Sequence, residues 1–143
     1  MNLVIIDNFL TEDFCNKLIE NFKKYKNKHR KFNNRYLIKL NEYKEDVLFK
    51  EAINKYFKQD KKIKNIEILS WEIGESHPLH NDAKFYDYTT ITYLNENYVG
   101  GRTIVNNIEI EPKIGKYIGF DSKEMHMVTE LISGERYVLI CWY

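Results

Sequence analysis

The second half of the chain constrains the fold most. From Ile66 onward, "IEILSWE", "YTTITYL", "RTIV", "IEIEP", "KYIGF" and "RYVLICWY" are short runs rich in β-branched and aromatic residues. Such residues fit a pleated, half-buried surface. Gly, Pro and Asn separate the runs, notably Gly100-Gly101 and Asn106-Asn107, and these pairs supply the backbone conformations that tight turns need. Many short strands at close, even spacing indicate a sandwich or barrel, and a jelly roll is the natural closed form.

The first half reads as helical cover. "LVIID" is a short strand-like run, after which Thr11 is an expected N-cap, with Glu12 and Asp13 in the first turn. Phe14, Leu18, Phe22 and Tyr25 recur at helical spacing, which predicts an amphipathic helix over residues 12–26. "RYLIKL" reads as a strand, and "KEDVLFKEAINKYFK" as a second helix turning Val47, Ala52, Ile53 and Tyr56 or Phe57 inward. The expectation is one domain over 1–143, mainly β with N-terminal helices (α+β). Residues 1–65 form helical cover and flap, and 66–143 a double-stranded β-helix, or jelly-roll, core. The flap is placed at Lys31 to Tyr43.

Composition narrows the function classes. The formal net charge is +1, so a strongly basic nucleic-acid-binding chain is not expected, although a local patch is compatible with that value. The basic run from Lys23 to Arg35 reads first as a solvated helix end and loop, and alternatively as an electropositive lip for an anionic or extended substrate. Cys15 and Cys141 lie far apart in no CxxC pair. "MNLVIIDNFLTED" turns acidic after a short apolar run, unlike a secretory signal. No apolar stretch approaches the ~20 residues of a membrane span. A cytoplasmic setting without a membrane partner is expected; oligomeric state is left open.

Against that frame of strands stands "HPLHND", His77 to Asp82, which holds two of the four histidines. On its own it admits two readings. It is either a solvated polar turn at a proline, or a place where His80 and Asp82, two apart, reach one ion. In a double-sheet barrel distant strands converge at one mouth, and His126 is the remaining histidine of this half. Two His and one Asp make the 2-His-1-carboxylate facial triad, which leaves open positions on Fe(II). Ten residues on, Arg136 opens the last strand. Its planar, always-charged fork suits a carboxylate, such as the far carboxylate of 2-oxoglutarate while the oxo acid end chelates iron.

The segment from Trp71 to Tyr143 resembles the catalytic core of Fe(II)/2-oxoglutarate-dependent dioxygenases, in particular the prolyl 4-hydroxylase branch. His80-x-Asp82 matches the family's HxD and His126 its distal histidine. "HMVTELISGER" resembles the stretch ending in the co-substrate arginine. "TYLNENYVGGRT" resembles the family's hairpin, and "IEPKIGKYIGF" and "RYVLICWY" the strands around the last ligand. The resemblance implies Fe(II), 2-oxoglutarate and O2 as cofactor and co-substrates, with His80, Asp82 and His126 as catalytic metal ligands and Arg136 as co-substrate anchor. It also implies a hydroxyl from Tyr93 on the far carboxylate, with Thr103 facing the same pocket. Relatives often carry a tyrosine where this chain has Trp71, which bears on pocket polarity rather than on metal binding.

The implied reaction is hydroxylation, with release of succinate and CO2, of a peptidyl proline or a related peptide or small molecule. The carboxylate ligand separates the chain from halogenases. Nucleic-acid dealkylases carry a second arginine six residues beyond the first, where this chain has Trp142; nucleic acid is therefore disfavoured. A non-catalytic metal-binding jelly roll is the remaining alternative. Trp142 reads as core beneath the metal, His77 as a loop residue, Glu124 as a solvated charge and Cys141 as a small buried hydrophobe.

Overall fold

The computed structural model describes residues 2–143. In chain order the elements are β1 (Val4–Ile6), α1 (Glu12–Lys24), β2 (Arg30–Phe32), β3 (Arg35–Lys39), α2 (Val47–Lys55), β4 (Asn65–Trp71) and β5 (His77–His80). There follow β6 (Tyr88–Tyr93), β7 (Tyr98–Gly100), β8 (Thr103–Val105), β9 (Ile108–Ile110), β10 (Tyr117–Asp121), β11 (His126–Val128), β12 (Leu131–Gly134) and β13 (Arg136–Trp142). A seven-stranded sheet runs β1-β10-β6-β13-β4-β3-β2, and opposite it lie β5-β11-β8-β9 and the ribbon β12-β7. All these pairings are antiparallel. This is the expected jelly-roll architecture.

Strand alternation divides the large sheet into two faces. Ile66 and Ile68 of β4 and Tyr137, Leu139 and Cys141 of β13 pack under the helices with Leu18, Phe22, Phe49 and Ala52. Leu69, Ile91, Tyr93, Phe120 and Val138 point the other way and meet Val105 and Ile110 of the small sheet. Each fully buried Leu, Ile or Phe contributes about 1.5–3 kcal/mol, so both faces of this sheet are held by hydrophobic burial. No helix of the described residues is long and apolar enough to cross a membrane.

Local chemistry explains the helices. Thr11 Oγ1 accepts the Phe14 N–H at 3.1 Å, as its N-cap position requires. Asp46 caps α2 in the same way through the Phe49 N–H, so this helix starts at Val47; Ala52, Ile53 and Tyr56 turn inward as expected, and Val47 does not. Phe49, Ala52 and Tyr56 are buried, while Val47 and Phe57 are exposed at 73% and 72%. The expected flap is also different. β3 pairs with β4 from Arg35 to Lys39, and Ile38 and Leu40 are buried, so this part of Lys31 to Tyr43 is integral sheet.

Candidate metal and co-substrate site

The three candidate ligands converge because two short strands and one turn meet at the barrel mouth. His80 ends β5 and is the register partner of His126 on β11. Asp82 lies just beyond β5, its N–H donating to the Ser122 carbonyl at 2.9 Å and its own carbonyl accepting from Phe85 and Tyr86. One ligand atom of each of the three residues falls within 4.8 Å of the others. His126 Nε2 is 3.3 Å from Asp82 Oδ2, and His80 Nε2 is 3.5 Å from Oδ1.

Both imidazoles are oriented by the backbone. His80 Nδ1–H donates to the Pro78 carbonyl at 2.7 Å and His126 Nδ1–H to the Glu124 carbonyl at 3.0 Å. Each contact fixes the tautomer and leaves Nε2 with a lone pair toward Asp82. Burial lowers the His80 pKa, with the His126 charge adding to it, and favours the neutral ligand form. Burial alone would raise the Asp82 pKa, but the His126 and Thr89 contacts outweigh it, so the carboxylate lies below its ordinary value. Two imidazoles that present Nε2 and a carboxylate are a donor set that fits a ferrous ion.

Asp82 has supporting partners that sequence reading did not assign. Thr89 Oγ1–H donates to Oδ2 at 2.9 Å and shares a hydrogen bond with Ser122. Trp142 Nε1–H donates to the same oxygen at 3.3 Å. Trp142 is thus not core: it is half-buried, stacks on Tyr86 and lines the cavity beside the ligands. The available signal was parity, since residues 136, 138, 140 and 142 must share one face of β13. His77 is likewise no loop residue. It opens β5 and stacks on His80 with ring centroids 3.7 Å apart. Burial, then the charges of Arg35, His80 and His126, push its pKa down to about 3.

At the far end of the same cavity Arg136 is 2% exposed. Its Nε–H donates to the Gly101 carbonyl at 3.1 Å and its Nη2–H to Thr103 Oγ1 at 3.2 Å. Tyr93 O–H donates to Thr103 at 2.7 Å, and burial pushes its pKa up to about 12. The guanidinium lies 4.6 Å from the Trp71 ring centroid, a cation–π contact. The four residues expected at the co-substrate end are therefore together, with Trp71 acting as a platform rather than as a hydroxyl donor. Tyr98 joins them: its ring borders Gly101, and its hydroxyl is the one buried side-chain N or O atom without a hydrogen-bond partner among the described residues.

Among the described residues Arg136 has no carboxylate partner. An unpaired buried cation beside an orphaned hydroxyl is a fit for an incoming carboxylate. The cavity between the two ends is about 140 Å³, room for roughly five waters. Along β13, Arg136 and Trp142 stand six residues apart, roughly 20 Å of strand, which gives space for an extended dicarboxylate beside the metal position.

The basic run contributes little free charge at its arginines. Arg30 pairs with Glu42 at 2.8 Å and Arg35 with Glu75 at 3.0 Å. Arg35 also reaches over the Trp71 ring, 5.1 Å from its centroid, and lines the cavity. The Glu124 side chain makes no hydrogen bond among the described residues, and its contribution is the carbonyl that holds His126.

The fold has counterparts among solved structures. The structure of a viral collagen prolyl hydroxylase from Paramecium bursaria Chlorella virus 1, in complex with 2-oxoglutarate, aligns with a TM-score of 0.71 at 20% identity over 99% of this chain and 94% of the other. A Trichoplax adhaerens prolyl hydroxylase, in complex with a hypoxia-inducible-factor peptide fragment, gives 0.72 at 16% identity over 99% and 82%. The non-heme α-ketoglutarate-dependent epimerase SnoN from nogalamycin biosynthesis gives 0.75 at 10% identity over 98% and 76%. No curated protein sequence matches the chain. The sequence model of the 2OG-Fe(II) oxygenase superfamily matches residues 66–143, the stretch that carries every candidate ligand and Arg136. With iron, 2-oxoglutarate and O2 as the family's reagents, the chain belongs to the 2OG-Fe(II) oxygenase superfamily and is a dioxygenase.

Proposed function

We propose that this oxygenase is a hydroxylase of the prolyl 4-hydroxylase kind, holding Fe(II) on His80, Asp82 and His126 and acting on a prolyl residue of a peptide. The observation that carries the reading is Arg136, a buried cation without a carboxylate partner among the described residues, at the end of the cavity opposite the three ligands. Leaving such a charge unpaired costs several kcal/mol, and the far carboxylate of 2-oxoglutarate supplies the missing partner.

When bound, ferrous iron and 2-oxoglutarate together activate oxygen, so that the oxo acid leaves as succinate and CO2 and one oxygen atom enters a substrate C–H bond. The chain's own residues position and insulate these reagents. The carbonyls of Pro78 and Glu124 aim the two imidazoles. Thr89 and Trp142 fix Asp82 Oδ2. Trp71, Tyr93 and Thr103 hold the guanidinium in place. Leu69, Ile91 and Ile140 give the cavity an apolar wall that excludes water. A peptide substrate is supported by the Trichoplax structure, whose bound fragment is a peptide and whose fold aligns with 99% of this chain.

The test is the anaerobic absorption difference on adding Fe(II) and then 2-oxoglutarate. A visible metal-to-ligand charge-transfer band is expected in the wild type and absent in Asp82→Ala. No band despite bound iron would end the reading.

A further inference from the structure

Among the described residues, three Asp, Glu, Lys or Arg side chains are buried: Glu67, Glu75 and Arg136. Glu75 is ion-paired with Arg35 at 3.0 Å. Arg136 faces the co-substrate. Glu67 has neither arrangement. The residue is 7% exposed, and its carboxylate accepts one hydrogen bond, from Asn65 Nδ2–H at 2.8 Å. It forms no ion pair with a cation of the described residues. Lys39 is its register neighbour on β3 but stands outside ion-pair distance.

Glu67 points into the cavity that His80, Asp82 and His126 line. It alternates with Leu69 and Trp71 on the inner face of β4 and is opposite Ile140, one same-face rung from the Trp142 that touches Asp82. Four residues of strand, roughly 13 Å, separate it from the row of Trp71 and Arg136. A carboxylate beside the anionic co-substrate would repel it, and Glu67 stands away from the end where that anion is anchored. It therefore faces the volume left to the prime substrate. The rule that assigns a carboxylate to Arg136 assigns a cation to Glu67, because buried charges are paired.

We infer that Glu67 is a specificity-determining residue that pairs with a protonated nitrogen of the substrate, so that the hydroxylated molecule carries an alkylammonium or guanidinium group near the oxidised carbon. The inference rests on the hydroxylase reading for what the cavity is. Leu37, Leu69 and Ile140 beside Glu67 suit the methylenes leading to such a group. A peptidyl proline flanked by neutral residues would leave the carboxylate desolvated and unanswered. Burial already pushes the Glu67 pKa up, with the Asn65 hydrogen bond and the Lys39 and Arg30 charges opposing it.

The experiment titrates the full chain, alone and then loaded with Zn(II) and 2-oxoglutarate, with propylammonium, propylguanidinium and 1-propanol. It follows the methyl resonances of Leu69, Ile91 and Ile140. At least one cation should half-saturate at a concentration tenfold or more below propanol, and Glu67→Gln should erase that preference. The better cation separates an amine-bearing substrate from an arginyl one. Equal half-saturation by all three probes, or a preference that survives Glu67→Gln, overturns the inference. Thermal melting removes the structural alternative. Glu67→Gln should melt no lower than the wild type, whereas equal destabilisation by Glu67→Gln and Lys39→Met would make the two a structural pair and overturn the proposal. The charge-transfer band separates the two readings: an intact band without cation preference sinks this inference alone, and a missing band with intact cation preference sinks the hydroxylase reading alone.

Discussion

Arg136 and Asp82 do opposite things with charge. Asp82 is held below its ordinary pKa by its contact with His126 and the hydrogen bond from Thr89, against the effect of burial, so it is ready to receive a metal as an anion. Arg136 is positioned by neutral groups, the Gly101 and Thr103 oxygens and the Trp71 ring, so its charge stays available to a ligand. Arg136→Ala should weaken 2-oxoglutarate binding by about 2–4 kcal/mol, the range for losing one partner of a buried charge pair. Iron affinity should stay near the wild-type value; calorimetric titration of each ligand checks both, and unchanged oxo acid affinity would place the anchor elsewhere. At this scale the sequence was most legible for residues whose chemistry is rare. Two His, one Asp and one Arg in the right order were enough to name the site. Glu67, Thr89 and Ser122 were not legible, because a common residue gains a role only when another strand brings it a partner; for Trp142 strand parity gave the face but not the contact with Asp82.

The turn between β7 and β8 shows how one element's backbone sets a side chain elsewhere. Gly101 has φ +58°, and a Cβ there would sit 3.1 Å from Arg136 Cδ and 3.4 Å from Leu131 Cδ1. Its carbonyl is also the acceptor for Arg136 Nε–H. Gly101→Ala is therefore strained in the left-handed region and presses on the guanidinium stem. It should raise the Kd for 2-oxoglutarate while Fe(II) binding without the oxo acid is kept; equal affinities for both variants would show that the turn does not position Arg136. The Gly-Gly pair was visible in the sequence as a turn, but its contact with β13 was not. Element boundaries failed where a cap decided them. Taking α2 from Lys44 missed the Asp46 cap, and Val47, two residues or about 200° of helix from the buried Phe49, faces out. The supposed flap failed for a related reason: a strand's edge is mobile or fixed according to its pairing, and β3 pairs with β4 along its whole length.

Across the whole molecule, the pleat of one sheet separates two environments. Inner residues of β4 and β13 face the ligands and Arg136, and their immediate neighbours face the helices. The family model covers the strands from residue 66 onward, yet β1 and β3, from the first half of the chain, extend the same sheet on either side. The strand-rich second half announced the barrel, while long-range pairing decided which early segments joined it. The separation of faces has a further consequence for self-inflicted oxidative damage. Cys141 is next to Trp142 in sequence but is buried under the helices, as is Cys15. Burial pushes both thiols up to about 12, so they stay protonated and unreactive. Met125, beside His126, is 39% exposed, and its sulfur accepts from Asn81 Nδ2–H at 3.5 Å. If turnover without substrate releases oxidant at the mouth, methionine sulfoxide at Met125 should accumulate before any cysteine oxidation, as peptide mass spectrometry would record. Oxidised cysteine appearing first would mean that the sheet is no barrier. With Met125 oxidised first, the chain wears at a residue that reductases can repair, and its two thiols outlast its activity.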